Sequence, residues 1–336
     1  MRAFVSTLLA GALQCAAFAG IRIGVLLPAD ATEATNMRRG IEVAAEIAKA
    51  RGTQIDVLFS GAHGQWGTEG DEAARLVLDE KVNALIAPRD RAITHLALQV
   101  SGRTRTPVVT LCPDSSVMGT GVPWCARVVP STFDEASAVI AWAKINGVRG
   151  DRWAAVVPAG RTGREVFSDL QRAAATAHVE LTSVTTSEAK TMKADGILLW
   201  LDPTDAAATL RALVSLESRA VLGGPSTLKT PRFLSDARSA ANGVLIATAC
   251  GELAADFTSN YIRRFKTAPD TIAVAAADAA MLLMERCRDT TWPACGDGHR
   301  GVSGKLKFDA NGNRLVSLSI RRCNDGQFTR LDSSKP

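Results

Sequence analysis

Aromatic side chains are scarce in this chain: they make up 5% of its 336 residues, with Tyr261 the single tyrosine. Few rings are therefore left to build a pocket around an aromatic amino acid. Histidine is nearly as thin. His63, His95, His178 and His299 are scattered and no C-x-x-C pair occurs, so zinc ligation has no pattern to rest on. G-x-S-x-G, H-E-x-x-H and G-x-x-x-x-G-K-[ST], the spacings of common hydrolases, zinc proteases and phosphate-binding loops, are missing too. Gly160-Arg161-Thr162-Gly163 lacks the third glycine of a dinucleotide loop, and nothing fixes Ser115, Ser116 and His95 as a triad. An exported α/β enzyme is thus a distant alternative, and no cofactor is expected. Lys and Arg total 39 against 34 Asp and Glu. The clusters Arg103/Arg105 and Arg321/Arg322 are far too short for a nucleic-acid-binding tail.

What is present begins with an address. Met1-Arg2 is a positive start, Ala3 to Leu13 is almost wholly apolar, and Ala17-Phe18-Ala19 places small residues where a signal peptidase reads. The pattern predicts a signal peptide over residues 1–19, cut after Ala19, and export to a bacterial periplasm. Cys15 makes lipoprotein processing the rival, which Gln14 fits poorly. The apolar stretch at 271–287 carries Asp278 and Glu285 and reads as a buried helix rather than a membrane span. Removing Cys15 from seven cysteines leaves six, an even number in an oxidising compartment. The short loops Cys112–Cys125 and Cys287–Cys295 are the expected disulfides, with Cys250–Cys323 following by elimination.

Short apolar runs alternate with helical periodicity along most of the chain. Strands are predicted at Ile21–Pro28, Gln54–Phe59, Ala84–Ala87 and Pro107–Leu111, with helices at Met37–Arg51, Gly70–Glu80 and Ile93–Ser101 between them. After a Pro-, Gly- and Ser-rich loop the pattern restarts: helices at Phe133–Asn146, Arg164–Thr176 and Asp205–Leu216 alternate with strands at Trp153–Pro158, Gly196–Leu201 and Ala220–Leu222. Near-continuous apolar strands separated by helices signal parallel sheets covered on both faces. Because the pattern runs twice, the fold class is α/β with two doubly wound lobes; a single α/β barrel is the alternative. The tail differs, with a strand at Val244–Thr248, helices at Phe257–Phe265 and Thr271–Cys287, and Asn311-Gly312 as a tight turn between Lys305–Phe308 and Leu315–Arg321. Asp309-Ala310-Asn311 is no calcium loop, since glycine falls fourth and the twelfth residue is Ile320.

Four segments in order resemble one family. They are Ile21-Arg22-Ile23-Gly24-Val25 leading to Gly40; Glu72-Ala73-Ala74-Arg75-Leu76 before Leu85-Ile86-Ala87; Thr106-Pro107-Val108-Val109; and Gly301-Val302-Ser303-Gly304 followed by Phe308-Asp309-Ala310-Asn311-Gly312. Together they are similar to the type I periplasmic binding proteins of the branched-chain amino-acid (Leu/Ile/Val) class, the soluble receptors of ABC importers. The resemblance implies two lobes joined by three crossings, residues 20–130 plus 251–314 and residues 131–250 plus 315–336. It further implies a monomer that closes a cleft on a small molecule and delivers it to permease subunits in the inner membrane, or serves a signalling partner instead.

Ligands of open parallel sheets lie beyond the carboxyl ends of the strands. By that rule the first lobe offers Arg89, Asp90 and Arg91, then Cys112, Pro113 and Asp114. The second offers Arg161, Thr162 and Arg164, then Asp202, Ser226 and Thr227. The serine and threonine hydroxyls that the family offers to an α-carboxylate are not at these places, and Ser226 falls where the family carries an acid. Four guanidinium groups, Arg89, Arg91, Arg161 and Arg164, suggest a small carboxylate or other anion instead. The competing reading has them on the rim, paired with Asp90, Asp114 or Asp202. Trp66, in a glycine-rich loop, is placed either to stack on a flat ligand or to pack the loop.

Overall fold

The computed structural model describes residues 20–61, 69–214, 220–249, 251–286 and 298–331. The predicted signal peptide, Trp66, and Cys250, Cys287 and Cys295 lie outside them.

Five strands build the first sheet: β1 (Ile21–Leu27), β2 (Ile55–Gly61), β3 (Ala84–Ala87), β4 (Val108–Thr110) and β5 (Cys125–Arg127). They are all parallel, in the order β2-β1-β3-β4-β5. Parallel neighbours need crossovers, supplied by α1 (Ala31–Ala50), α2 (Glu69–Leu78), α3 (Arg91–Thr104) and the single turn α4 (Ser115–Met118). All four residues of β3 are buried, as a strand covered on both faces requires.

The second sheet starts after α5 (Thr132–Ile145). Its parallel part is β6 (Arg152–Val156), β7 (Glu180–Ser183), β8 (Gly196–Leu199), β9 (Val221–Gly224) and β10 (Leu245–Ala249). The helices α6 (Gly160–Thr176), α7 (Thr186–Thr191), α8 (Pro203–Val214) and α9 (Pro231–Ala237) connect them. The chain then returns to the first lobe. There α10 (Ala255–Phe265) and α11 (Thr271–Arg286) pack on α1, followed by the small antiparallel sheet β11 (His299–Gly301), β12 (Gly304–Phe308) and β13 (Arg314–Leu315). Finally β14 (Leu318–Asn324) and β15 (Gln327–Arg330) extend the second sheet antiparallel, giving the order β15-β14-β10-β9-β8-β6-β7.

Two local outcomes differ from expectation, and one glycine string takes its meaning from the fold. The strand predicted as continuous from Leu315 is broken: β13 pairs with β12 in one lobe, and β14 begins three residues later in the other. A crossing between lobes therefore falls at Val316-Ser317. The string Gly296-Asp297-Gly298-His299-Arg300-Gly301 has the glycine spacing of a dinucleotide loop. From Gly298 it runs into β11 and then another strand, not into the helix that such a loop requires. The Cys112–Cys125 disulfide is contradicted: both thiols are free and buried. Val108 is the residue opposite Cys125, so Cys112 sits four residues farther along its strand, roughly 13 Å away at about 3.3 Å per residue, beyond disulfide reach. Cys323 is likewise free and buried, and its expected partner Cys250 lies outside the described residues.

Each lobe has its own apolar core. Ile23, Val25, Ile41, Ile86, Val109 and Leu283 centre the first, and Trp153, Ile197, Leu199, Leu210, Phe233 and Ile246 the second. Between them, near the crossings, Arg314 is buried with Asp278: its Nη1 donates to the Asp278 carboxylate at 3.2 Å and to the Val128 carbonyl at 2.9 Å, and its Nη2 donates to Ser303 Oγ at 2.7 Å.

Candidate functional site: the cleft between the lobes

The switch points of the two sheets, β1/β3 and β6/β8, put the loops after these strands in position to face one another. An aspartate at the strand end begins several of the following helices. Asp30 accepts the N–H of Glu33 at 2.7 Å, Asp90 that of Ile93 at 2.9 Å, and Asp114 that of Ser116 at 2.8 Å. Asp202 accepts from Thr204 and Asp205 at 2.8 and 3.0 Å. Three acids predicted for the ligand, Asp90, Asp114 and Asp202, are thus occupied as helix caps.

The caps place two separate groups of side chains. The first surrounds Arg89, just past β3, whose side chain is 28% exposed. Its nearest ion-pair contact is Glu33 in the first turn of α1, at 3.9 Å, beyond a normal hydrogen bond. Among the described residues the guanidinium donates no hydrogen bond to any side chain. Its charge is nonetheless felt by three carboxyl groups, Glu33, Asp270 and Glu135. Burial raises the pKa of each, and Arg89 opposes the rise. Glu135 is wholly buried at the start of α5, accepts the Ser226 N–H at 3.0 Å, and is pushed up to about 7. Asp270 accepts the N–H of Ala273 at 2.8 Å and of the Asn36 side chain at 2.7 Å. Two buried oxygens here have no hydrogen-bond partner, Glu33 Oε1 and Thr271 Oγ1. Thr271 opens α11, against which the 3-10 turn Ser226–Leu228 of the second lobe lies. A ligand donor is what such orphaned acceptors lack.

The second group is an ion-pair cluster. Arg91 Nε stands 3.8 Å from Asp114 and its Nη1 pairs closely with Glu165, whose other oxygen accepts from Arg161 at 2.9 Å. Four arginines therefore do not converge on one point. Arg161 is 79% exposed and bound to Glu165, while Arg164 and Thr162 face solvent. Cys112 and Pro113 serve the framework. The Cys112 thiol is pushed up to about 12 by burial, its N–H donates to Thr110 Oγ1 at 3.0 Å, and the Pro113 carbonyl accepts from Thr132 N–H at 3.0 Å. Glu33, Asn36, Glu135 and Asp270 escape a strand-end rule because their side chains come from helix starts and a helix-linking loop. The signals were Asp30-x-x-Glu33 and Ser131-x-x-Asp134, both capping-box spacings.

A separate groove of about 660 Å³ lies at the ends of β6, β7 and β8, lined by residues such as Pro158, Thr185, Thr186 and Asp205. No residue of the first lobe contributes to it, so it is not the interlobe cleft.

A family model described as periplasmic binding protein matches residues 20–303. The chain belongs to the periplasmic binding protein family. Solved structures agree on the fold. The leucine-binding protein LivK of Thermotoga maritima is 18% identical and superposes with a TM-score of 0.79 over 93% of this chain and 98% of its own. LivJ of Streptococcus pneumoniae, solved with isoleucine, is 15% identical, with a TM-score of 0.77 over 92% and 97%. A solute-binding protein of Rhodopseudomonas palustris BisB5, solved with 3,4-dihydroxybenzoic acid, is 16% identical, with a TM-score of 0.77 over 94% and 98%. No curated protein sequence matches. This periplasmic binding protein therefore has the type I fold, with two α/β lobes and a cleft between them.

Proposed function

We propose that this periplasmic binding protein is the exported solute-capturing component of an ABC importer, and that its cleft holds a small molecule bearing a carboxylate beside an amino group. The observation that carries this reading is Arg89: a guanidinium in the cleft with no side-chain hydrogen bond among the described residues, set among three carboxyl groups. A guanidinium takes a carboxylate in a two-bond fork. The three acids then outnumber the one arginine, and an ammonium group beside the ligand carboxylate balances them, with Glu33 Oε1 and Glu135 as acceptors. A purely anionic ligand, the preference drawn from four arginines, gives way because Arg91 and Arg161 are committed to Glu165. Isoleucine and 3,4-dihydroxybenzoic acid, bound by proteins of the same fold, both carry a carboxylate, which supports the role given to Arg89.

In this reading the lobes comprise 20–130 plus 251–314 and 131–250 plus 315–336, and they close about their three crossings. Closure brings Glu33 and Arg89 of one lobe to Glu135 and Ser226 of the other, and only the closed form contacts the ligand with both. That differential affinity shifts the population to the form an inner-membrane permease would accept. Calorimetric titration with leucine, isoleucine, γ-aminobutyrate and benzoate, on wild type and Arg89→Ala, tests the reading. An amino acid that binds wild type and is lost from Arg89→Ala supports it; equal affinity in both proteins overturns it.

A further inference from the structure

We propose that the protein carries its own latch for the closed cleft: Arg91 of the first lobe grips Glu165 of the second, backed by the Ser115 N–H on Asp169, so that before any ligand enters the closed form is more populated than it would be without these contacts. The proposal rests on the reading above only in taking the lobes to move about their crossings.

Both jaws of the latch are held on firm supports. Arg91 is the first residue of α3, and Asp114 and Ser115 form the start of α4; all belong to the first lobe. Arg127, buried on β5, donates to the carbonyls of Pro113 and Asp114 at 3.3 and 3.1 Å and so fixes that loop. On the other side, Glu165 and Asp169 lie one turn apart on α6. The first turn of α6 presses on the end of β6 at Gly163, where a Cβ would come within 1.7 Å of the Pro158 carbonyl oxygen. Only glycine permits that seat.

The contacts between the jaws are complementary. Glu165 lies between two guanidinium groups, Arg91 and Arg161, and Arg91 between two carboxylates, Glu165 and Asp114. Ser115 N–H is a donor of the first turn of α4 with no intrahelical partner, and it donates to Asp169 Oδ2 at 3.2 Å, while Arg172 takes the other oxygen. Asp169 is buried. None of these residues touches Arg89, so the latch acts on the lobes and leaves the ligand contacts alone. Its effect on binding is a larger binding-competent fraction, which tightens apparent affinity in proportion.

The test uses full-length mature protein, unfolded, dialysed and refolded to strip ligand, in small-angle X-ray scattering at low and high salt. Wild type at low salt is expected to give the smallest radius of gyration of the set. Glu165→Arg is expected to give a larger radius, and so is wild type at about 1 M salt, where charges are screened beyond about 3 Å. Glu165→Gln, folded by circular dichroism, provides the milder comparison, with a closed-to-open ratio reduced by up to about fivefold and a weaker salt response. Equal radii for wild type and both variants, or a wild-type radius that does not grow with salt, would overturn the latch. The measurement is made without ligand, so an error in the ligand reading does not register in it.

Discussion

The carboxylate of Glu33 faces the guanidinium of Arg89 at 3.9 Å, close enough to feel its charge and too far to hydrogen-bond it. Each group has been brought there by a different helix cap, Asp30 for α1 and Asp90 for α3, and each keeps hydrogen-bonding capacity unused. Arg89→Lys keeps the charge and discards the fork. Affinity for the proposed carboxylate-bearing ligand should fall roughly tenfold or more, since charge-assisted bonds contribute about 1.5–3 kcal/mol. Calorimetric titration of the two proteins measures it.

Glu135 makes stability depend on pH. Its folded pKa, about 7, lies above the ordinary carboxylate value of 4.5, so the folded state holds the proton more tightly. Its contribution is therefore fully present below about pH 4.5 and is lost as pH rises through 7. Glu135→Gln keeps an oxygen for the Ser226 N–H and removes the charge. Ligand-free Glu135→Gln should be more stable than wild type at pH 8, by about 1–3 kcal/mol, and little different at pH 4.5. Urea titrations at the two pH values check the sign.

Asp278 and Arg314 form a buried pair beside the crossings, with hydrogen bonds to Val128 and Ser303 completing it. Breaking such a pair strands the surviving charge. Arg314→Met should lose about 3–5 kcal/mol in urea unfolding, and Arg314→Met with Asp278→Leu should recover much of it.

Cys112 and Cys125 are free thiols, each pushed up to about 12 by burial. Native protein at pH 8 should resist iodoacetamide at both positions and take it up at both in urea, because the thiolate is the reactive form. Peptide mass mapping reads the outcome, and a Cys112–Cys125 peptide under non-reducing conditions would contradict the fold's register.

Strands such as β3 and β8 were legible because burial on both faces leaves an unbroken apolar run. Helix starts were not. The apolar stripe of α1 begins at Met37, but the helix begins at Ala31, because Asp30 caps a polar first turn that periodicity ignores. The hairpin β14–β15 was missed for a related reason: its turn is Asp325-Gly326, both at positive φ, and β15 is only four residues long. Of the site, Arg89 was legible from its place after β3. Its surroundings were not, because Glu33, Asp270 and Glu135 lie far apart in sequence: the first two meet through the packing of α1 on α11, and Glu135 joins them from the other lobe. Arg91 and Arg161 looked like ligand residues for the same reason that Glu165 went unnoticed: charge pairing across a cleft leaves no local pattern.

The most direct test of the central claim is mass spectrometry of whatever small molecule is released when the protein, purified from its own host without refolding, is denatured. A molecule carrying both a carboxylate and an amino group, absent from Arg89→Ala prepared in parallel, is the result expected. A released molecule with no carboxylate, or the same molecule retained by Arg89→Ala, would contradict it.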